Sequence, residues 1–132
     1  MSILSQLKRH EGWRERPYLD TEGIGTFGYG FTYLTKEEGE IILRNRIQAA
    51  IEDLTRAYPW AGGLDAGRFN VLVNMTYNMG IKRLGTFVNT LQAIKDGRFN
   101  LAADNMLNSK WAGQVHDRAI ELAEQMRTGV EL

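Results

Sequence analysis

The stretch LTKEEGEIILRNRIQAAIEDLTRAY, positions 34–58, constrains this chain more than any other. Thr35 opens T-K-E-E, a capping box in which the threonine oxygen and a glutamate three residues on satisfy free N–H groups at a helix start. Leu43, Ile47, Ala50, Ile51 and Leu54 then recur on one face, so a long helix runs from Thr35 to about Tyr58. Gly39 weakens its first turns without breaking the pattern.

The same periodicity organises the rest. Ser2 caps a first helix reaching about Glu11, with Ile3, Leu4 and Leu7 as its apolar face and Gly12 as its stop. Pro59–Gly63 reads as a loop. Asp65 caps a helix carrying Phe69, Leu72, Val73, Thr76 and Tyr77, which N-M-G ends. Shorter helices are expected over about Thr86–Lys95, Asn100–Leu107 and Asp117–Arg127, the last with Ile120, Leu122, Ala123 and Met126 on its apolar face. Gly97 and Gly129 stand where C-terminal caps belong. Between Trp13 and Leu34 the period changes: Phe27, Tyr29, Phe31 and Tyr33 alternate with Gly28, Gly30 and Thr32, which predicts a small antiparallel sheet. The expected fold is α+β, one domain over 1–132. A small N-terminal lobe (about 12–34) joins through the long helix to a helical lobe (about 64–132, plus helix 2–11).

G-I-G-T-F-G at 23–28 matches a dinucleotide fingerprint on paper, but the residues after Gly25 alternate with period two, so no helix N-terminus is present to hold a pyrophosphate. No lysine follows Gly28, which removes the P-loop reading as well. Sixteen basic residues balance sixteen acidic ones, leaving no cationic excess to neutralise a nucleic-acid backbone. Without cysteine there is no disulfide framework or thiol chemistry. His10 and His116 are too isolated to suggest a metal site. No apolar run matches a signal peptide or a membrane span, so synthesis in the cytoplasm is expected.

The acids flanking that glycine run are more informative. Glu11 ends a helix whose carbonyls disfavour negative charge, and burial by Trp13, Tyr18 or Phe27 would disfavour it further; both effects favour a protonated carboxyl, as a general acid requires. Asp20, in a polar turn with Thr21 and Glu22, stays ionised. A pair of carboxyls with separated environments is the arrangement glycosidases use.

The spacing E-x8-D-x5-T, realised as Glu11, Asp20 and Thr26 within HEGWRERPYLDTEGIGTFGYG, resembles the phage-type lysozyme (endolysin) family, the glycoside hydrolases of family 24. LTKEEGEIILRNRIQAAI, DAGRFNVLVNMTYNMG, FVNTLQAIKDGRFNLAADNMLNSKW and HDRAIELAEQMRTG resemble its later helices. The resemblance implies cleavage of the β-1,4 bond between N-acetylmuramic acid and N-acetylglucosamine in peptidoglycan, with inversion. Glu11 would protonate the leaving oxygen. Asp20 would orient or activate water, or stabilise charge developing at the sugar, and Thr26 would help hold the water. Arg118 would come across to pair with Glu11, while Tyr18, Phe31, Asn78 and Gln114 are candidates to line the groove. No metal or organic cofactor is implied. The expected partner is the glycan strand, the chain acting as a monomer released to the wall by a separate holin-like protein.

The chain departs from the family pattern at Phe31, where histidine is usual, in the short passage from Tyr33 to Thr35, and in its balanced charge. Two other functions stay open: a lytic transglycosylase acting on the same bond, and a wall-binding module without activity.

Overall fold

The structure is a computed structural model and describes residues 2–11 and 34–131, of Glu11 only the backbone. Helices α1 (Ile3–Glu11), α2 (Lys36–Ala57), α3 (Ala66–Met79), α4 (Ile81–Leu84), α5 (Val88–Lys95), α6 (Phe99–Leu107), α7 (Lys110–Val115) and α8 (Asp117–Thr128) follow in order, with a 3-10 turn over Pro59–Gly63. Every regular element among the described residues is helical. The α+β expectation is therefore corrected to all-α: the described segments carry only the 3.6-residue period. The residues with strand alternation, and with them the expected N-terminal lobe, lie outside the described residues.

The long helix starts as expected. Thr35 Oγ1 accepts from the Glu38 N–H at 3.1 Å, and the Thr35 hydroxyl donates to the Glu38 carboxylate at 3.0 Å. Ile47, Ala50 and Leu54 are buried, Leu43 and Ile51 half-buried. At α3, Asp65 accepts from the Arg68 N–H at 3.1 Å, and Gly80 ends the helix at φ 85°. Gly97 and Gly129 adopt φ 77° and 74° after α5 and α8, the left-handed geometry that a Cβ would strain.

Three readings change. Pro59–Gly63 is a 3-10 turn rather than a loop, with proline at its start where its fixed φ costs nothing. Helices α4 and α7 were not anticipated, being four and six residues long. Ile120, expected on the apolar face of α8, is 62% exposed, because α8 turns Ala119, Leu122, Ala123 and Met126 inward instead.

The core joins Leu7 of α1, Leu54 of α2, Leu72 and Met75 of α3, Ile94, Met106, Trp111, Leu122 and Met126, all fully buried. Each such side chain contributes about 1.5–3 kcal/mol of burial free energy. Helix α8 packs on α6, α3 and α7, and α1 lies across α3 and α2. Side-chain hydrogen bonds, among them Gln6 to Glu121 and Gln125, join α1 to α8.

Candidate active site

Helix α1 ends at Glu11, the residue expected to act as acid, and His10 precedes it. The side chain of Glu11, together with Tyr18, Asp20, Thr26 and Phe31, lies outside the described residues. What the structure describes is the ground on which α1 ends.

That ground is polar and mostly buried. Gln6, one turn before His10, is 2% exposed; its Nε2 donates to Glu121 Oε2 at 2.6 Å and to Gln125 Oε1 at 2.9 Å. Its Oε1 accepts from Asn74 Nδ2 at 2.9 Å. Gln125 Nε2 passes the chain on to the carbonyl of Gly67 at 2.8 Å. Arg9 pairs with Glu121 at 3.1 Å. Asn74 Oδ1 is buried without a hydrogen-bond partner among the described residues.

His10 completes the cluster, its side chain 11% exposed. Arg118 Nε donates to His10 Nδ1 at 3.0 Å, and Asn74 Nδ2 approaches the same nitrogen at 3.4 Å. A guanidinium has no acceptor, so Nδ1 must offer its lone pair and the ring proton sits on Nε2. Nε2 lies 3.1 Å from Glu121 Oε2, which accepts it. Burial, followed by the charge of Arg118, holds the imidazole below its ordinary value against the opposing pull of Glu121. Burial pushes Glu121 upward, but hydrogen bonds from Arg9 and Gln6, with the charge of Arg9, outweigh it; the carboxyl sits below its ordinary value.

Arg118 comes across from α8 to the last turn of α1; the expected pair with Glu11 rests on a side chain outside the described residues. The described partner of Arg118 there is His10.

One turn beyond Asn74 on α3, Asn78 lines a cavity of about 430 Å³ with Arg46, Ala49, Ala50, Asp53, Thr76 and Tyr77. The lining comes from α2 and α3, and Asn78 stands one turn along α3 from Asn74, which meets His10. Asn78 Oδ1 accepts from the buried Trp111 Nε1–H at 2.8 Å, which leaves its amide N–H groups for the cavity. Phe87 braces Trp111 edge-on, ring centroids 6.3 Å apart. Gln114 is exposed on α7 and accepts from Arg83. Of the expected groove residues, the structure places Asn78 in the cavity wall and Gln114 outside that lining. Arg46, Asp53 and Tyr77 were not anticipated there. Among the described residues no group of three His, Cys, Asp or Glu side chains could hold a metal ion. No helix among them is long and apolar enough to cross a membrane.

Two curated phage proteins are similar to the chain. The "Peptidoglycan hydrolase gp36" of Pseudomonas phage phiKMV is 28% identical over 131 residues, covering 92% of this chain and 14% of the relative. The "Pre-baseplate central spike protein Gp5" of Enterobacteria phage T4 is 26% identical over 161 residues, covering 98% of this chain and 28% of the relative. The chain thus spans well under a third of the length of either. The family model described as "Phage lysozyme" matches residues 8–123, from the last turn of α1 into α8, and the chain belongs to that family.

Proposed function

We propose that the chain is a muramidase that hydrolyses the β-1,4 bond between N-acetylmuramic acid and N-acetylglucosamine in bacterial peptidoglycan. The family match over residues 8–123 carries this reading, because that span contains Glu11, Asp20 and Thr26 at the spacing that resembles the family's pattern. The relative named a peptidoglycan hydrolase supports the substrate class. Glu11, at the end of α1, protonates the leaving glycosidic oxygen. Asp20 and Thr26 hold the water that attacks the anomeric carbon, or Asp20 stabilises the charge developing there. Tyr18, Phe31, Asn78 and Gln114 contact the glycan, the cavity beside Asn78 taking part of it. In an infected bacterium the chain acts as a monomer on the wall after a separate protein has permeabilised the membrane.

The test is clearing of permeabilised Gram-negative cells by the wild type beside Glu11→Gln. Losing the acid lowers the rate by at least about 100-fold. Equal clearing by both proteins would remove Glu11 from its role. Mass spectrometry of the released fragments identifies the reaction: reducing N-acetylmuramic ends mark hydrolysis, and anhydro ends would make the chain a lytic transglycosylase.

A further inference from the structure

We propose that His10 is a positioning residue: as a neutral imidazole whose tautomer Glu121 fixes, it aims the Arg118 guanidinium at the end of α1 where Glu11 stands. The proposal rests on the reading of Glu11 as the acid.

The geometry carries it. Arg118 Nε points its proton at His10 Nδ1 from 3.0 Å, and the opposite ring nitrogen faces the Glu121 carboxylate at 3.1 Å. Carboxylate, imidazole and guanidinium stand in line, so the only ring state that fits carries its proton on Nε2. A proton on Nδ1 would point an N–H at two donors, Arg118 and Asn74, and where Nε2 keeps its own proton as well the ring would also set a positive charge against the guanidinium. The Arg118 contact would open. Among the described residues, the groups facing His10 are Arg9 on its own helix, Arg118 and Glu121 on α8, and the uncharged amide of Asn74 on α3. Glu121 is itself held by Arg9 and Gln6, so it cannot swing away to follow a turned ring. The low protonation tendency of the buried ring agrees with this neutral state.

The contact acts on catalysis through Arg118. A guanidinium that keeps its place fixes the electrostatic surroundings of the last turn of α1; one that is released alters them, and misplacement of a site group slows the chemical step without touching substrate affinity. Two replacements separate this from a packing role. Asparagine reaches the position of Nδ1 with an acceptor oxygen and does not titrate. Glutamine carries its amide out to the position of Nε2 and removes the acceptor that His10 Nδ1 offers to Arg118 Nε.

The experiment measures release of reducing ends from peptidoglycan against pH for the wild type, His10→Asn and His10→Gln, each first shown by circular dichroism to be folded. His10→Gln is expected to lower kcat on the order of tenfold with KM unchanged. His10→Asn is expected to return to within about threefold of the wild type, with its acid limb displaced to lower pH. Equal loss in both variants, or full activity in His10→Gln, would overturn the proposal. The ring is read directly in long-range proton–nitrogen NMR spectra of the intact wild type, assigned with His10→Gln: an Nε2–H neutral ring at pH 7 supports it, and an Nδ1–H ring or an imidazolium there defeats it. If the wild type releases no reducing ends, the muramidase reading fails, and the NMR spectra still decide the state of His10.

Discussion

Replacing Gly67 with alanine tests how α3 docks on the end of α8. Gly67 lies in the first turn of α3 against the backbone of Gly129, the residue that caps α8. A Cβ at Gly67 would stand 2.0 Å from the Gly129 carbonyl oxygen and 2.6 Å from its carbonyl carbon. Ordinary contact begins at 3.4 Å, so the two backbones must part by roughly 1.4 Å in a region packed to crystal-like density. The separation stretches the Gln125–Gly67 hydrogen bond from 2.8 Å to beyond bonding range, stranding a buried carbonyl. Arg68, whose guanidinium lies 3.7 Å over the Phe99 ring, also donates to the free carbonyls of Met126 and Arg127 at 2.7 and 2.6 Å, and it has the length to follow. Overpacking of about 1–3 kcal/mol and a stranded acceptor of about 1–3 kcal/mol bracket the loss, and about 3 kcal/mol is expected. For a chain of this size that lowers the melting temperature by roughly 10 °C. Urea and thermal unfolding followed by circular dichroism measure it. Gly113→Ala is the control: a Cβ there meets nothing within 4 Å in an exposed turn of α7, so stabilisation by about 0.5–1 kcal/mol is expected. Gly67→Ala within about 0.5 kcal/mol of the wild type would refute the docking argument.

Three other outcomes are expected. His116 joins α7 to α8 at φ 47°, a conformation glycine adopts freely, so His116→Gly should raise the urea midpoint, by about 0.5–1 kcal/mol in stability; a fall would mean the junction is unstrained. Trp111→Phe removes the N–H that holds Asn78 Oδ1 and leaves space in a fully buried site. It should cost about 2 kcal/mol in urea unfolding and raise KM for peptidoglycan, and an unchanged KM would separate Asn78 from substrate. His10 and Glu121 both bind protons less readily folded than unfolded, so the unfolded state gains protons first and stability falls as pH falls. The His10 part is present above its unfolded value of 6.5 and lost below it, towards the folded value; the Glu121 part is lost below 4.5. Urea midpoints measured across pH should therefore decline in two stages. His10→Gln should abolish the first, and a first stage that survives in this variant would assign it elsewhere.

Much of the helical framework was legible because capping oxygens and apolar periods coincide, as at Thr35 and Asp65. Helix α7 was not: six residues show no period, and its start rests on Ser109, whose oxygen accepts from the Ala112 N–H at 3.2 Å without a capping-box partner. Ile120 misled for a related reason, since an apolar residue at helical spacing reports which faces are available, not which one the neighbouring helices cover. At the site, Arg118 entered through the family resemblance. Gln6, Asn74, Glu121 and Gln125 went unread because polar residues on helices are usually solvated. A signal was present in the spacing: Gln6 with His10 and Glu121 with Gln125 are each one turn apart, beside the buried Leu7 and Leu122.

The buried amides also explain why α1 ends in one orientation. Among its described side chains, Leu7 is the only apolar one fully buried, while Ile3 and Leu4 are half-covered. Apolar contact is non-directional, and a nine-residue helix resting on one leucine could roll about its axis at little cost. A roll of one residue, about 100°, would carry Glu11 to another side of the molecule. The hydrogen bonds do not permit it. Arg118 can only donate and the Gly67 carbonyl can only accept, so the amides between them have one consistent set of directions. An apolar residue at Gln6 would satisfy burial but strand Asn74 and Gln125, and would remove the bonds that register α1 against α3 and α8. The orientation of the helix that bears Glu11 is thus set by polar side chains of α8 together with Asn74 of α3. This places the helix that bears Glu11, the proposed acid, under the control of residues more than a hundred positions away in sequence.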